Sequence, residues 1–312
     1  MTAKLVISFD FELGWGVLDS PLWRTREQDG LYQRMRPVLA DLFQFLNERE
    51  LPTTWATVSS MTFEDIASIP VDHLPESYRD HVGVFCREAA WETRCGNDLL
   101  DSWQQQLAPF SELCSHTATH LYAGYEGVTA EQYVRDVTLS IARLEEQYGT
   151  PIESLIFTRD QDDFRAEVSA QRVMNLRIGP QSYGKASMGK VARMMRGATR
   201  FWQAIPASVI SCGEQGECLQ SGSLYFNWSG GDFEFLKRQQ VRTQAARMLR
   251  QMKADGGTYH VWLHPFNLAE TPQHQRAFRH FLEAAARLRD AGGLEILTMS
   301  DCGRRASSGK RP

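Results

Sequence analysis

Lys4-Leu5-Val6-Ile7-Ser8-Phe9, followed at once by Asp10-Phe11-Glu12-Leu13-Gly14-Trp15-Gly16, is the stretch on which the fold turns. The apolar, β-branched run predicts a strand over 4–9. Side chains alternate along a strand, so Asp10 and Glu12 point the same way at its end. Two acids on one face repel unless a cation or an arginine sits between them. Gly14 and Gly16 let the chain turn away sharply. A strand followed by a solvated turn fits the fragment equally well, so its surroundings must decide.

Outward from this strand the chain alternates. Leu31, Met35, Val38, Leu39, Leu42 and Leu46 form a helical stripe over 31–49. Residues 53–58 read as a strand, and 111–115 as a short one. Thr129 and Gln132 form a capping box for a helix that ends at Gly149. A strand over 154–157, a helix near 164–174 and a strand around 176–178 follow. Residues 180–222 are the least legible, with candidate strands at 200–210 and 223–227. A helix over 234–254, a strand over 258–263, a helix over 272–290 and a strand over 294–297 close the pattern. The stretch 60–108 breaks it. Pro70, Pro75 and many polar residues suggest an insertion with short helices, expected to act as a lid and shape the pocket. Residues 303–312 are basic, Ser- and Gly-containing, and expected to be a disordered tail. Alternating strands and helices imply a parallel sheet, open or closed into a barrel, with its chemistry at the carboxyl ends of the strands.

Composition bounds the function. The chain has 312 residues, 42% hydrophobic and 23% charged, and one large core needs no disulfide or metal staple at that length. A net charge of −4 gives no basic field for nucleic acid. No apolar run approaches the ~18 residues of a membrane span. The start of the chain lacks the pattern of a signal peptide, and the six cysteines form no C-x-x-C pair, so a reducing, cytoplasmic location is expected. Trp15, Trp23 and Trp262 lie near the motifs and are candidates to stack on sugar rings.

Three further segments follow strands. Ser115-His116-Thr117-Ala118-Thr119-His120 carries two histidines at i and i+4, able to share one face of a helical turn and bind one metal. Leu263-His264-Pro265-Phe266-Asn267 delivers His264 at a strand end, whereas His260 reads as structural. Phe157-Thr158-Arg159-Asp160-Gln161-Asp162 offers Arg159 as a partner for a buried carboxylate. His73, His81, His274 and His280 read as surface residues.

Taken in order, these motifs resemble those of the polysaccharide deacetylases of carbohydrate esterase family 4, over roughly residues 4–300. The form with His-Pro-Phe-Asn is similar to cytosolic members associated with bacterial surface polysaccharides. The resemblance implies a distorted (β/α)7 barrel, a single domain over 1–302. It implies a divalent metal, commonly zinc, held by Glu12, His116 and His120. It further implies Asp10 as catalytic base, His264 as general acid and Arg159 as the residue that orients the base. The activity implied is removal of an N-acyl group, most simply acetyl, from an amino sugar. A nucleotide- or lipid-linked precursor of surface polysaccharide suits a cytosolic protein better than finished polymer.

The chain departs from the family pattern at three places. Its first motif is gapped, with Phe11 between the acids. Its third lacks the usual Pro and Tyr, which leaves the oxyanion's backbone donor unassigned. Its fourth, an Asp and Trp pair, has no clear match, Asp232 and Trp228 being poor candidates. Two other readings follow. One is a catalytically inactive barrel that binds carbohydrate or acts as a scaffold. The other is iron and oxygen chemistry on the same two histidines and carboxylate.

Overall fold

A computed structural model describes residues 2–171, 173–179, 205–228 and 234–308. The strands are β1 (Ala3–Phe11), β2 (Thr54–Thr57), β3 (Glu112–Ser115), β4 (Ser154–Ile156), β5 (Asn175–Ile178), β6 (Ile210–Cys212), β7 (Cys218–Ser221), β8 (Leu224–Tyr225), β9 (Thr258–Leu263) and β10 (Leu294–Leu297). Nine of them follow one another in the order β6-β7-β5-β4-β3-β2-β1-β9-β8, and β10 pairs with the first half of β1. Every pairing is parallel except β6 with β7. The sheet curls until Arg177 of β5 reaches Ser8 and Asp10 of β1 across the interior. The segment before β6 bridges the remaining gap: the Ser208 amide donates to Thr258 at the start of β9, and its hydroxyl to Ser221 of β7. The result is the expected mixed α/β fold, a distorted and incompletely closed barrel.

Strand alternation gives the interior its layers. Leu5, Ile7, Phe9 and Phe11 face the helices, among them α2 (Leu31–Glu48) and α10 (Pro272–Asp290). The alternate residues face inward. Val6 packs with Ala56, Cys114, Ile156 and Leu297 in a small apolar floor. Above it Ser8 meets Arg177 and His260, and Asp10 and Glu12 stand at the carboxyl end. The floor is plugged by α11 (Met299–Ser308), whose Met299 and Cys302 belong to it. Residues 303–308, expected in a disordered tail, therefore continue a helix. Gly303 explains why: a Cβ there would meet Asn175 Oδ1 at 1.8 Å, so the helix docks closely against β5.

The segment 60–108 forms α3 (Glu76–Glu88), α4 (Trp91–Arg94) and α5 (Asn97–Gln106). Tyr78, Phe85 and Trp103 are buried in the main core. The helix expected near 164–174 is shorter, α7 (Arg165–Ser169), and the strand expected over 200–210 begins only at Ile210. Residues 200–204 lie outside the described residues. Among the described residues no disulfide joins any of the six cysteines. Among the described residues no helix is long and apolar enough to cross a membrane.

Candidate active site

The carboxyl ends of β1, β3 and β9 deliver their side chains into one open cavity of about 340 Å³. Asp10, Glu12, His116, His120, Arg159 and His264 all line it. Glu12 lies at its centre. Its Oε2 is 3.0 Å from His120 Nε2 and 3.6 Å from His116 Nε2, and its Oε1 is 3.5 Å from His264 Nε2. All four side chains are largely or wholly buried.

The loops that achieve this convergence are held in uncommon conformations. Leu13, Thr117, His120, Arg159 and Asp160 have φ between 47° and 63°. Non-glycine residues there are held by surrounding contacts at a cost of order 1 kcal/mol or more each. The contacts are visible. Asp136 of α6 (Ala130–Tyr148) accepts from the amides of Ala118 and Thr119 and from the Thr119 hydroxyl. Its other contact is His73 Nε2 at 2.9 Å. Gly14 donates its amide to Thr93 and Trp15 its indole N–H to Arg94, which anchors the loop after β1. Gly16 packs directly on Glu12, since a Cβ there would meet Oε1 at 2.0 Å.

The donor set fits a divalent metal. Glu12, His116 and His120 each offer one atom, all within 4.8 Å of one another. An ion holding ligands at about 2.0–2.1 Å in a tetrahedron keeps them roughly 3.3 Å apart. The two Glu12–histidine distances of 3.0 and 3.6 Å bracket that spacing. The tautomer of His116 is more telling. Its Nδ1 lies 2.8 Å from the Ile156 carbonyl, which can only accept, so Nδ1 carries the proton. A neutral His116 therefore turns a bare Nε2 toward a carboxylate oxygen, an arrangement that needs a cation between them. With a proton as that cation, burial opposes the charge, but the bond to Glu12 and the field of Asp10 outweigh it and raise His116 above its ordinary range. Burial would likewise raise Glu12, yet His264, His120 and His116 hold its carboxyl well below the usual range. His120 is lowered by burial.

Asp10 stands beside this cluster and is gripped by Arg177, not by Arg159. Arg177 Nη1 and Nη2 donate to the two carboxylate oxygens at 2.7 Å each, and Nη1 also donates to Ser8 at 3.1 Å. Burial pushes Asp10 up, but the guanidinium wins and holds it below its ordinary value. Arg159 is turned elsewhere. It donates to both oxygens of Asp19 at 2.7 and 2.9 Å and lies 3.7 Å over the Tyr122 ring. The left-handed backbone at 159 and 160 carries Arg159 to the rim and leaves Asp160 3.4 Å from Arg177.

His264 ends β9 and opens α9 (Pro265–Glu270). Its Nδ1 is 3.0 Å from the Tyr225 hydroxyl, which accepts from Asn227 Nδ2 at 3.0 Å and lies 3.3 Å from Asn267 Oδ1. Tyr225 is the tether that the sequence motifs leave unassigned. Trp228 is buried instead and stacks on His274 with ring centres 3.5 Å apart, while Asp232 lies outside the described residues. His274 is thus no surface residue, and His73 is engaged with Asp136. Two of the three tryptophans differ from expectation: Trp15 and Trp23 are buried around Phe85 and do not line the cavity. Trp262 does line it, and carries Tyr225 stacked at 4.1 Å with the Arg177 guanidinium 4.5 Å from its ring centre. No residue of 60–108 lines the cavity, so this segment props the β1 loop from behind.

No family model matches the sequence, and no curated protein does. Solved structures do match in fold. A protein from Mycobacterium smegmatis assigned as a polysaccharide deacetylase superposes with a TM-score of 0.63 at 13% identity, covering 100% of this chain and 92% of the other. The allantoinase PuuE gives 0.60 at 11% identity, covering 96% and 89%. The α-amylase AmyC of Thermotoga maritima gives 0.59 at 10% identity, covering 97% and 74%. At such identities the likeness is one of architecture, shared by proteins with different chemistries, so function must be read from the site.

Proposed function

We propose that this protein is a metal-dependent amide hydrolase that removes an N-acyl group, most simply acetyl, from an amino sugar. The observation that carries the reading is the convergence of Glu12, His116 and His120 beside an arginine-held Asp10 and opposite a tethered His264. Glu12, His116 and His120 would hold a divalent ion, zinc by donor set, which when bound acidifies water and polarises the acyl carbonyl. Asp10, kept ionised by Arg177, is placed to accept the proton of the attacking water. His264 presents Nε2 to the cavity and passes a proton to the leaving amine, which is a poor leaving group without it. In that state Nδ1 also carries a proton and donates to Tyr225, whose hydroxyl turns to Asn267. The substrate is a small N-acylated sugar, free or linked to a nucleotide or lipid, and a cytosolic precursor of surface polysaccharide fits six cysteines that form no disulfide.

The inactive-barrel reading has less support. Several non-glycine residues are held at positive φ around the cavity, an expense that a mere scaffold would not need. The test is to load the purified protein with single divalent metals and screen N-acylated sugar precursors for freed amine. His264→Ala should cut turnover by ~10²–10⁴ while metal content stays at wild-type level. Glu12→Ala and His116→Ala should lose the metal. A His264→Ala protein with full turnover, or one that no longer holds metal, would remove the acid role. No amine released under any metal would leave the scaffold reading standing.

A further inference from the structure

We propose that Arg26 binds an anionic group of the substrate, a carboxylate or a phosphate, at the edge of this same cavity. The proposal rests on the reading of the cavity as a substrate pocket. The arginines at the site fall into two classes. Arg177 is committed to Asp10, and Arg159 to Asp19. Arg26, from α1 (Leu22–Gln28), lines the cavity with Glu12 and His264, yet no carboxylate lies within ion-pair distance of it among the described residues. Its Nη1 is buried beside the Tyr32 hydroxyl and has no hydrogen-bond partner of normal geometry.

Its placement is specific. The guanidinium lies 4.2 Å over the ring of Phe266, and that ring stacks on His264 with centres 4.9 Å apart. Arg26 therefore stands one aromatic ring away from the group that protonates the leaving amine. The Phe266 face covers one flat side of the guanidinium, and the side chain borders the cavity that an anionic substituent would enter. A guanidinium stays charged throughout the working pH range, and its fork of donors matches a planar carboxylate or a phosphate. The neighbouring Tyr32 cannot neutralise it, because burial keeps the phenol protonated. A sugar held by its N-acyl group at Glu12 and His264 would present a second substituent toward Arg26.

The experiment uses the zinc-loaded full chain and reads binding, not turnover. Calorimetry would compare three probes: N-acetylglucosamine, N-acetylglucosamine 1-phosphate and 2-acetamido-2-deoxyglucuronate. In the wild type at least one anionic probe should bind tenfold or more tightly than the neutral sugar, and the better of the two names the group. Arg26→Gln should abolish that advantage at unchanged metal content and unchanged affinity for N-acetylglucosamine. Arg26→Lys, which keeps the stem and the charge, should retain part of it and guards against a folding defect in the first variant. An anion preference that survives Arg26→Gln, or no preference in the wild type, overturns the proposal. An Arg26-dependent preference without any amine release would instead count against the hydrolase alone.

Discussion

At Asp10 both carboxylate oxygens accept from one buried arginine, and the sequence names that arginine only obliquely. Arg177 sits between Leu176 and Ile178 in an apolar strand, and a charge buried there has to be paired. Strand alternation puts it on the inner face, but which acid it meets depends on how far the sheet curls, a long-range quantity. Arg159 draws attention because it follows a strand, yet two consecutive left-handed residues turn it to Asp19. A direct comparison separates the two. Arg177→Lys keeps the charge but loses the fork on Asp10, and kcat should fall by ~10² or more. Arg159→Lys should cost at least tenfold less, and the reverse order in steady-state kinetics would return Arg159 to the role of base holder. Tyr225→Phe removes the hydroxyl between His264, Asn227 and Asn267. One such hydrogen bond is worth about 1–1.5 kcal/mol, so kcat should drop roughly tenfold with metal content unchanged. Loss of metal in that variant would mean that Tyr225 supports the ion's ligands instead.

The elements themselves were mostly legible, because long periodic segments report their own packing. The helices over 31–48, 130–148, 234–255 and 272–290 match the expected bounds closely, and Thr129 and Gln132 form the capping box. The misses share a cause. Residues 303–308 carry a tail-like composition, but α11 gains its helix by docking on the barrel floor, which no local propensity reveals. The segment 60–108 looks like an irregular lid, yet it is core. Asp136 belongs with these: in sequence it is one polar residue of a helix, while in the structure it fastens the turn between the two metal-binding candidates. Replacing it by Ala leaves the amides of Ala118 and Thr119 without their carboxylate. Supporting residues of this kind typically govern metal affinity by 10–100-fold. Asp136→Ala should weaken zinc binding by that order in a chelator competition, with the far-ultraviolet circular dichroism of the wild type retained. Wild-type affinity would show that the turn holds itself.

At the scale of the molecule, inward-facing polar residues stand directly above an apolar floor, and that stacking has a consequence for stability. His260 sits in the middle layer, its Nε2 2.8 Å from Ser8 Oγ, and burial with the nearby Arg177 holds it down to about 3. His274, packed on Trp228, is lowered by burial to about 4. In the unfolded chain both titrate near 6.5. Below that value the unfolded state takes up protons that the folded state refuses, so stability is present above pH 6.5 and lost as pH falls toward 4. Each such histidine costs up to about 1.4 kcal/mol per pH unit in that window. His116 works in the opposite sense, since it is raised, and acid also competes with any bound metal, so the total slope mixes several groups. A single-site comparison isolates one of them. His274→Gln keeps an acceptor for the Trp228 amide but cannot titrate. Its urea midpoint relative to wild type should improve between pH 7.5 and pH 5, by about 2 kcal/mol in unfolding free energy. The lost stacking on Trp228 is the same at both pH values and cancels. A difference independent of pH would mean that His274 is protonated as readily in the folded protein as in the unfolded chain, and that this end of the core is wetter than its packing indicates.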